Sequence, residues 1–300
     1  VTTRATAGLW IAAVVAAAAA YGVVAKRRAR DVDAADVPSG RPRIVSLVSG
    51  VVDTLSVLDS LDCLVAVGSN RTMDFPGTEG KPRILADERG GMTNAEGVLA
   101  LRPDYVFVAR ELAPSLEGRG LNVIRVPQDS MAEMREFVMS LGRIVGKEER
   151  ARAALEHMDA KMAEIRKRVA GRPRVRVYWE DTAVGRTRGP GTAVHEMIEL
   201  AGGENIYQDA RIARPTIGVE TILGADPEVI VLNTTASASP ADVKARPGWD
   251  RMTAVRTGRV FVIPFEERSV TLFSPRCADC CERTFLRWFH PELFAEEAPR

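Results

Sequence analysis

Apolar residues recur at Ala151, Ala154, Leu155, Met158, Met162, Ile165 and Val169, the i, i+3, i+4, i+7 spacing of one helix face. Between them Glu148, Glu149, Glu156 and Asp159 alternate with Arg150, Arg152, Lys161 and Arg166, as on a solvated face laced with i,i+4 pairs. The spacing predicts a helix over residues 147–169, ended by Gly171 and Pro173. At 1.5 Å per residue such a helix is roughly 34 Å long, enough to cross a small domain.

A repeated pattern flanks this helix. In the stretches 96–108 and 220–232, Glu96 matches Glu220, Leu99 matches Leu223, Pro103 matches Pro227 and Asp104 matches Glu228, and apolar residues follow each proline. Each copy reads as a short helix, a proline-marked turn and a buried strand. A single repeat at this separation is not a solenoid period. With the long helix between the copies, it predicts two similar lobes joined by one rigid rod. The alternative is one larger α/β domain whose helix–turn–strand units merely look alike.

Short apolar runs at 43–48, 64–68, 105–109 and 122–126 precede the rod, and runs at 174–179, 229–232 and 260–264 follow it. Interleaved with helical patterns, they imply small, mostly parallel sheets, in which ligands meet loops at the carboxyl ends of the strands. The expected fold is therefore α/β, with two Rossmann-like lobes, one long α-helix joining them and a ligand cleft between. The expected division is an N-terminal lobe over 42–128, a linking region with the backbone helix over 129–171, a C-terminal lobe over 172–291 and a tail over 292–300.

Residues 8–25 differ in kind: they are uncharged and alanine-rich, behind Arg4. Residues 1–25 read as a signal peptide or a single membrane anchor, followed by a polar linker over 26–41. Export is expected, although the basic residues 26–30 favour keeping that flank in the cytoplasm.

Composition removes several classes of function. A formal net charge of +1 spread over 300 residues gives no electrostatic footprint for nucleic acid. His157, His195 and His290 all fall in helical pattern. The sequence carries no G-x-S-x-G, no G-x-x-x-x-G-K-[ST] and no Ser–His–Asp or Cys–His context. No catalytic residue, cofactor or protein-built metal site is expected. Cys63 stands alone, whereas Cys277, Cys280 and Cys281 cluster as C-x-x-C-C. That cluster is open to three readings: a local disulfide, reactive thiols or plain packing.

Several motifs together resemble a known family. They are Pro-Arg-Ile-Val-Ser-Leu at 42–47, Val-Gly with a later Asp-Phe-Pro (67–76), Asn94-x-Glu96 with Leu-x-Pro-Asp104, Ala-Gly-Gly-Glu-Asn at 201–205, the second block from Glu220 to Glu228, and Ser-Pro-Arg at 274–276. In this order and at this spacing the chain is similar to ABC-transporter substrate-binding proteins of the helical-backbone class, which receive cobalamin, ferric siderophores or haem. The resemblance implies a non-enzymatic, monomeric periplasmic or cell-surface protein with an ABC permease and ATPase as partners. It also implies docking of Glu96 and Glu220, one from each lobe, onto permease arginines. The family's ligand loops correspond here to Arg71, Thr72, Arg89, Gly90 and Arg110 in the first lobe, and to Tyr178, Trp179, Arg186, Arg188, Arg214 and Arg268 in the second. Guanidinium groups suit an anionic metal chelate such as a ferric siderophore, with cobalamin or haem as alternatives. From another class, the competing reading is a membrane-tethered metal-handling enzyme or sensor on the same scaffold.

Overall fold

The computed structural model describes residues 40–69, 73–85, 95–110, 112–127, 130–236, 238–272 and 274–297. Two separate parallel sheets carry the architecture. The first consists of β1 (Ile44–Ser46), β2 (Leu64–Gly68), β3 (Arg83–Ile84), β4 (Tyr105–Val108) and β5 (Val123–Arg125), ordered β3-β2-β1-β4-β5. The second consists of β6 (Val175–Glu180), β7 (Gly203–Asn205), β8 (Val229–Leu232) and β9 (Val260–Val262), ordered β7-β6-β8-β9. The central strands β4 and β8 are buried along their whole length, as expected of parallel strands covered on both faces. Setting β1 against β6, β2 against β7, β4 against β8 and β5 against β9 makes the two orders the same, with β3 an added edge strand.

The sequence repeat builds the same corner twice. The short helices α2 (Ala95–Ala100) and α6 (Val219–Ala225) lead into β4 and β8. Before each proline the chain takes a left-handed residue, Arg102 at φ 45° and Asp226 at φ 40°, a conformation that costs a side-chain-bearing residue free energy unless neighbours fix it. They do so alike in both lobes. The acid after the proline accepts a backbone N–H from the neighbouring strand, Asp104 from Arg43 at 2.7 Å and Glu228 from Arg176 at 3.0 Å. The same arginines reach back with their guanidinium groups to the carbonyls of Arg102 and Asp226. The register that follows is also shared, with Ile44 opposite Tyr105 and Val177 opposite Val229.

The predicted rod is α4 (Glu148–Val169), 22 residues long and about 33 Å at 1.5 Å per residue. It does not act alone. It forms a hairpin with α3 (Met131–Ile144), capped by Ser130, whose hydroxyl accepts from Glu133 N at 3.2 Å. The two helices meet closely where Gly142 faces Ala151, since a Cβ on Gly142 would lie 2.7 Å from that of Ala151. Helix α3 covers the first sheet through Phe137, edge-on to Phe107 at 5.8 Å. At its start α4 reaches the end of α1 (Ser49–Val57), where Arg150 Nε donates to Val57 O at 2.9 Å. Its last turn packs in the second lobe, with Val169 beside Gly202. A single buried cluster runs through both lobes and includes Phe107, Met134, Met158, Trp179 and Phe285. Two lobes joined by one long helix are thus as expected, and the distinct sheets also share this core.

Among the described residues no helix is long and apolar enough to cross a membrane. The apolar run 8–25 lies outside the described residues.

Candidate functional site

A cavity of about 210 Å³ opens between the two sheets, at the carboxyl ends of the strands where parallel topology leaves backbone groups and loops free to meet a ligand. Residues 48–50, following β1, and Val126 and Pro127, following β5, form one wall. The other wall comes from the second lobe: Trp179 and Asp181 at the end of β6, Arg188, residues 233–235 after β8, and the stretch holding Arg268, Thr271 and Leu272. Two helices present their N-terminal turns to it, α1 with Ser49 and Gly50 and α5 (Ala193–Leu200) with Thr192, Ala193 and Val194. Unsatisfied N–H groups and the helix dipole make such termini favourable for negative charge.

The charged groups in this cleft are held by specific partners. Asp181 accepts from Arg188 Nη2 at 2.5 Å and from Asn233 Nδ2 at 2.7 Å. Burial lowers the pKa of Arg188 and the neighbouring Asp181 opposes that shift; a guanidinium stays charged regardless, so the two form a net-neutral unit. Arg268, 5% exposed, lies between the rings of Phe75 and Phe265, with 3.9 Å to each centroid, and donates to the carbonyls of Phe265 at 2.5 Å and Asp74 at 2.8 Å. Stacking on two rings and donation to two carbonyls help to hold the cation in place. Arg214 lines the cavity from an exposed loop. Counting Arg188, Arg214 and Arg268 against Asp181, the described lining carries more positive than negative charge, and its remaining polar groups are mostly hydroxyls.

Of the residues predicted from sequence, Trp179, Arg188, Arg214 and Arg268 meet at this cleft. Tyr178 does not. Strand alternation turns it to the outer face of β6, where it is fully buried against Trp249 and Tyr207. Its hydroxyl accepts from Gly185 N and contacts Glu180, and burial, then the Glu180 charge, pushes its pKa well up. Arg110 and Arg186 are exposed and do not border the cavity. Arg186 instead bridges to Thr216, joining two surface loops. Arg71, Thr72, Arg89 and Gly90 lie outside the described residues. Sequence reasoning passed over Asp181 and Asn233, although each directly follows a strand, β6 and β8, where the topology puts ligand loops.

Glu96 and Glu220 are exposed first-turn residues of the equivalent helices α2 and α6. The four cysteines are free and buried. Burial raises the thiol pKa of Cys277 to about 12 and pushes those of Cys280 and Cys281 well up, which marks packing residues rather than reactive thiols. No cluster of three or more His, Cys, Asp or Glu side chains placed to hold a metal ion occurs among the described residues.

Comparison with known proteins places this geometry. The sequence profile described as "Periplasmic binding protein" matches residues 44–267. A cobalamin-binding protein of Halobacterium salinarum is 29% identical over 241 residues, covering 74% of this chain and 63% of that protein's length. CeuE of Helicobacter pylori, solved as a nickel–histidine complex, superposes with a TM-score of 0.74 at 19% identity, over 87% of this chain and 86% of that one. MolA of Haemophilus influenzae, bound to molybdate, gives 0.72 at 18% identity, over 87% and 89%. At such identities the structural likeness establishes the fold alone. A family profile spanning both sheets establishes more: the chain belongs to the periplasmic binding protein family.

Proposed function

We propose that this chain is the solute-binding component of an ABC importer, taking up an anionic metal chelate, best a ferric siderophore, and catalysing nothing. The observation that carries this reading is the make-up of the cleft: Arg188, Arg214 and Arg268 border it together with Asp181 among the described lining, and two helix N-termini open beside them. Arginine forks bind carboxylate and hydroxamate or catecholate oxygens by charge-assisted hydrogen bonds. No His, Cys or Tyr belongs to that lining, so the metal arrives with its coordination already filled by the chelator. Glu96 and Glu220, set alike on the two lobes, are proposed to dock on permease cations, where separated exposed pairs orient and steer more than they bind. Residues 8–25 are proposed to direct the chain to the periplasm or cell surface.

A corrinoid is the second reading, favoured by the cobalamin-binding relative. Against it, the only aromatic residue in the described lining is Trp179, which is fully buried. Titration calorimetry with ferric citrate, ferrichrome, a ferric catecholate and cyanocobalamin separates the two. The chelate reading expects an anionic ferric complex to bind best and Arg214→Ala to weaken it by about tenfold, the worth of a charge-assisted contact. Tighter cyanocobalamin binding, indifferent to Arg214→Ala, overturns it.

A further inference from the structure

The Ser-Pro-Arg motif lies outside the cleft, yet its arginine reaches the first lobe. Arg276 Nη1 stands 3.1 Å from Asp53 Oδ1 and its Nη2 donates to Ser56 Oγ at 3.0 Å. Both partners are on α1, one turn apart. Asp53 is completely buried, and neither of its oxygens has an aligned hydrogen-bond donor among the described residues. A carboxylate in that position depends on its countercharge. Arg276 is itself held at its root, its backbone N–H donating to the hydroxyl of the buried Ser274.

Arg268, on the stretch leading into the same motif, makes a second crossing. Its guanidinium donates to Asp74 O and stacks on Phe75, both in the first lobe. The long helix and the core packed along it hold the lobes on one axis, and an attachment off that axis restrains twisting about it. We propose that Arg276 and Arg268 form a two-point clasp that sets the width of the cleft, with Arg276 as a positioning residue acting through Asp53 and Ser56. The lever is short. Ser49 and Gly50, which wall the cavity, precede Asp53 by about one helical turn, so the grip on Asp53 fixes the wall.

The clasp rests on the cleft being the solute site only for its effect on affinity; the width itself is measured without ligand. Spin labels at the exposed positions Ala100→Cys and Ala241→Cys, one in each lobe, report the inter-lobe distance by double electron–electron resonance in the full chain, the native thiols being buried. Arg276→Met is expected to broaden the distribution or move its mean by about 2 Å or more, the scale of a domain rearrangement. Arg276→Lys, which keeps a cation beside Asp53, is expected to stay near the parent distribution. Where Arg276→Met fails to fold, Asp53→Asn with Arg276→Met removes the stranded charge and is expected to show the same broadening. A folded variant lacking the arginine that keeps the parent distribution overturns the clasp. So does Arg276→Lys behaving as Arg276→Met.

Discussion

The pair between Glu180 and Arg246 offers a direct test of how the second lobe is held beneath the cleft. Glu180 ends β6 with 1% of its side chain exposed, and Arg246, following α7 (Pro240–Ala245), is 16% exposed. The guanidinium engages both carboxylate oxygens at 2.6 Å and lies 4.5 Å from the centroid of Trp249. In Arg246→Met the aliphatic stem is replaced, but among the described residues the carboxylate keeps only Tyr178 Oη at 3.3 Å. Stranding a buried charge costs about 3–5 kcal/mol. The residual exposure of Arg246 argues for about 3 kcal/mol, because water entering along its path solvates part of the charge. Against a typical total stability of about 5–15 kcal/mol, the loss is large and readily measured.

The diagnostic comparison is with Glu180→Gln combined with Arg246→Met. If the cost comes from the stranded charge, the double variant is more stable than Arg246→Met alone, by about 1–2 kcal/mol, because an amide tolerates burial better than a carboxylate. Urea unfolding reads this as a shift in midpoint at constant slope. An Arg246→Met loss below about 1 kcal/mol would assign the pair the small value of a surface ion pair. A double variant less stable than the single one would refute the stranded-charge account.

Three further outcomes follow from other parts of the fold. Gly202, at φ 76°, would carry a Cβ 2.6 Å from His290 Nε2 and 3.1 Å from Val169 Cβ, so Gly202→Ala is expected to lose about 2–4 kcal/mol from left-handed strain and crowding together, measured as a fall in urea midpoint. Asp226 accepts from Thr253 N at 2.7 Å and from its hydroxyl at 2.8 Å, and these bonds hold its pKa below the usual carboxylate value. Its contribution is therefore complete above the unfolded value near 4 and is lost as pH falls through the lower folded value; Asp226→Asn is expected to cost about 1 kcal/mol at pH 7 and progressively less in acid below about pH 4, followed as the difference between the two stability–pH curves. The folded protein is expected to leave Cys63, Cys277, Cys280 and Cys281 unmodified by Ellman's reagent at pH 8 and to release all four in denaturant; fast labelling of the native state would contradict their burial.

Sequence reading found the strands that carry continuous apolar runs, both the fully buried 105–108 and 229–232 and the partly buried edge strands β5 and β9, because such runs leave little choice of element. The edge strands β3 and β7 escaped it. Arg83–Ile84 is too short to show a period, and Gly203–Asn205 has the composition of a turn; both are strands because a neighbouring strand supplies hydrogen bonds. Helix α3 has a clear apolar face through Met131, Met134, Phe137, Val138 and Leu141, but only its docking on the first sheet separates it from the linking region. At the site, the positions of Arg188 and Arg268 were legible and their partners were not, since Asp181 and Phe75 come to them through tertiary folding. Tyr178 and Trp179 show the limit most simply. Adjacent strand residues point to opposite faces, so the pair could not both face the cleft. Which one does depends on the layer that covers each side of β6.

The repeat explains both what the lobes share and where they part. With Ile44 and Val177 in equivalent register, Ser46 corresponds to Trp179, Leu47 to Glu180 and Val48 to Asp181. At the amino ends of these strands the two lobes keep one device, an arginine tied to an acid and to a left-handed residue before proline. At the carboxyl ends they differ in kind. Among the described residues, the first lobe gives the cleft Val48, Ser49, Gly50, Val126 and Pro127, while Asp181, Arg188, Arg214 and Arg268 all come from the second. Duplicate corners fix the sheets without constraining the loops at the far end, so one side of the cavity can remain apolar with helical N–H groups while the other gathers charge. Among the described residues the guanidinium groups of the lining come from the second lobe, so an anion bound as proposed would be oriented by that side.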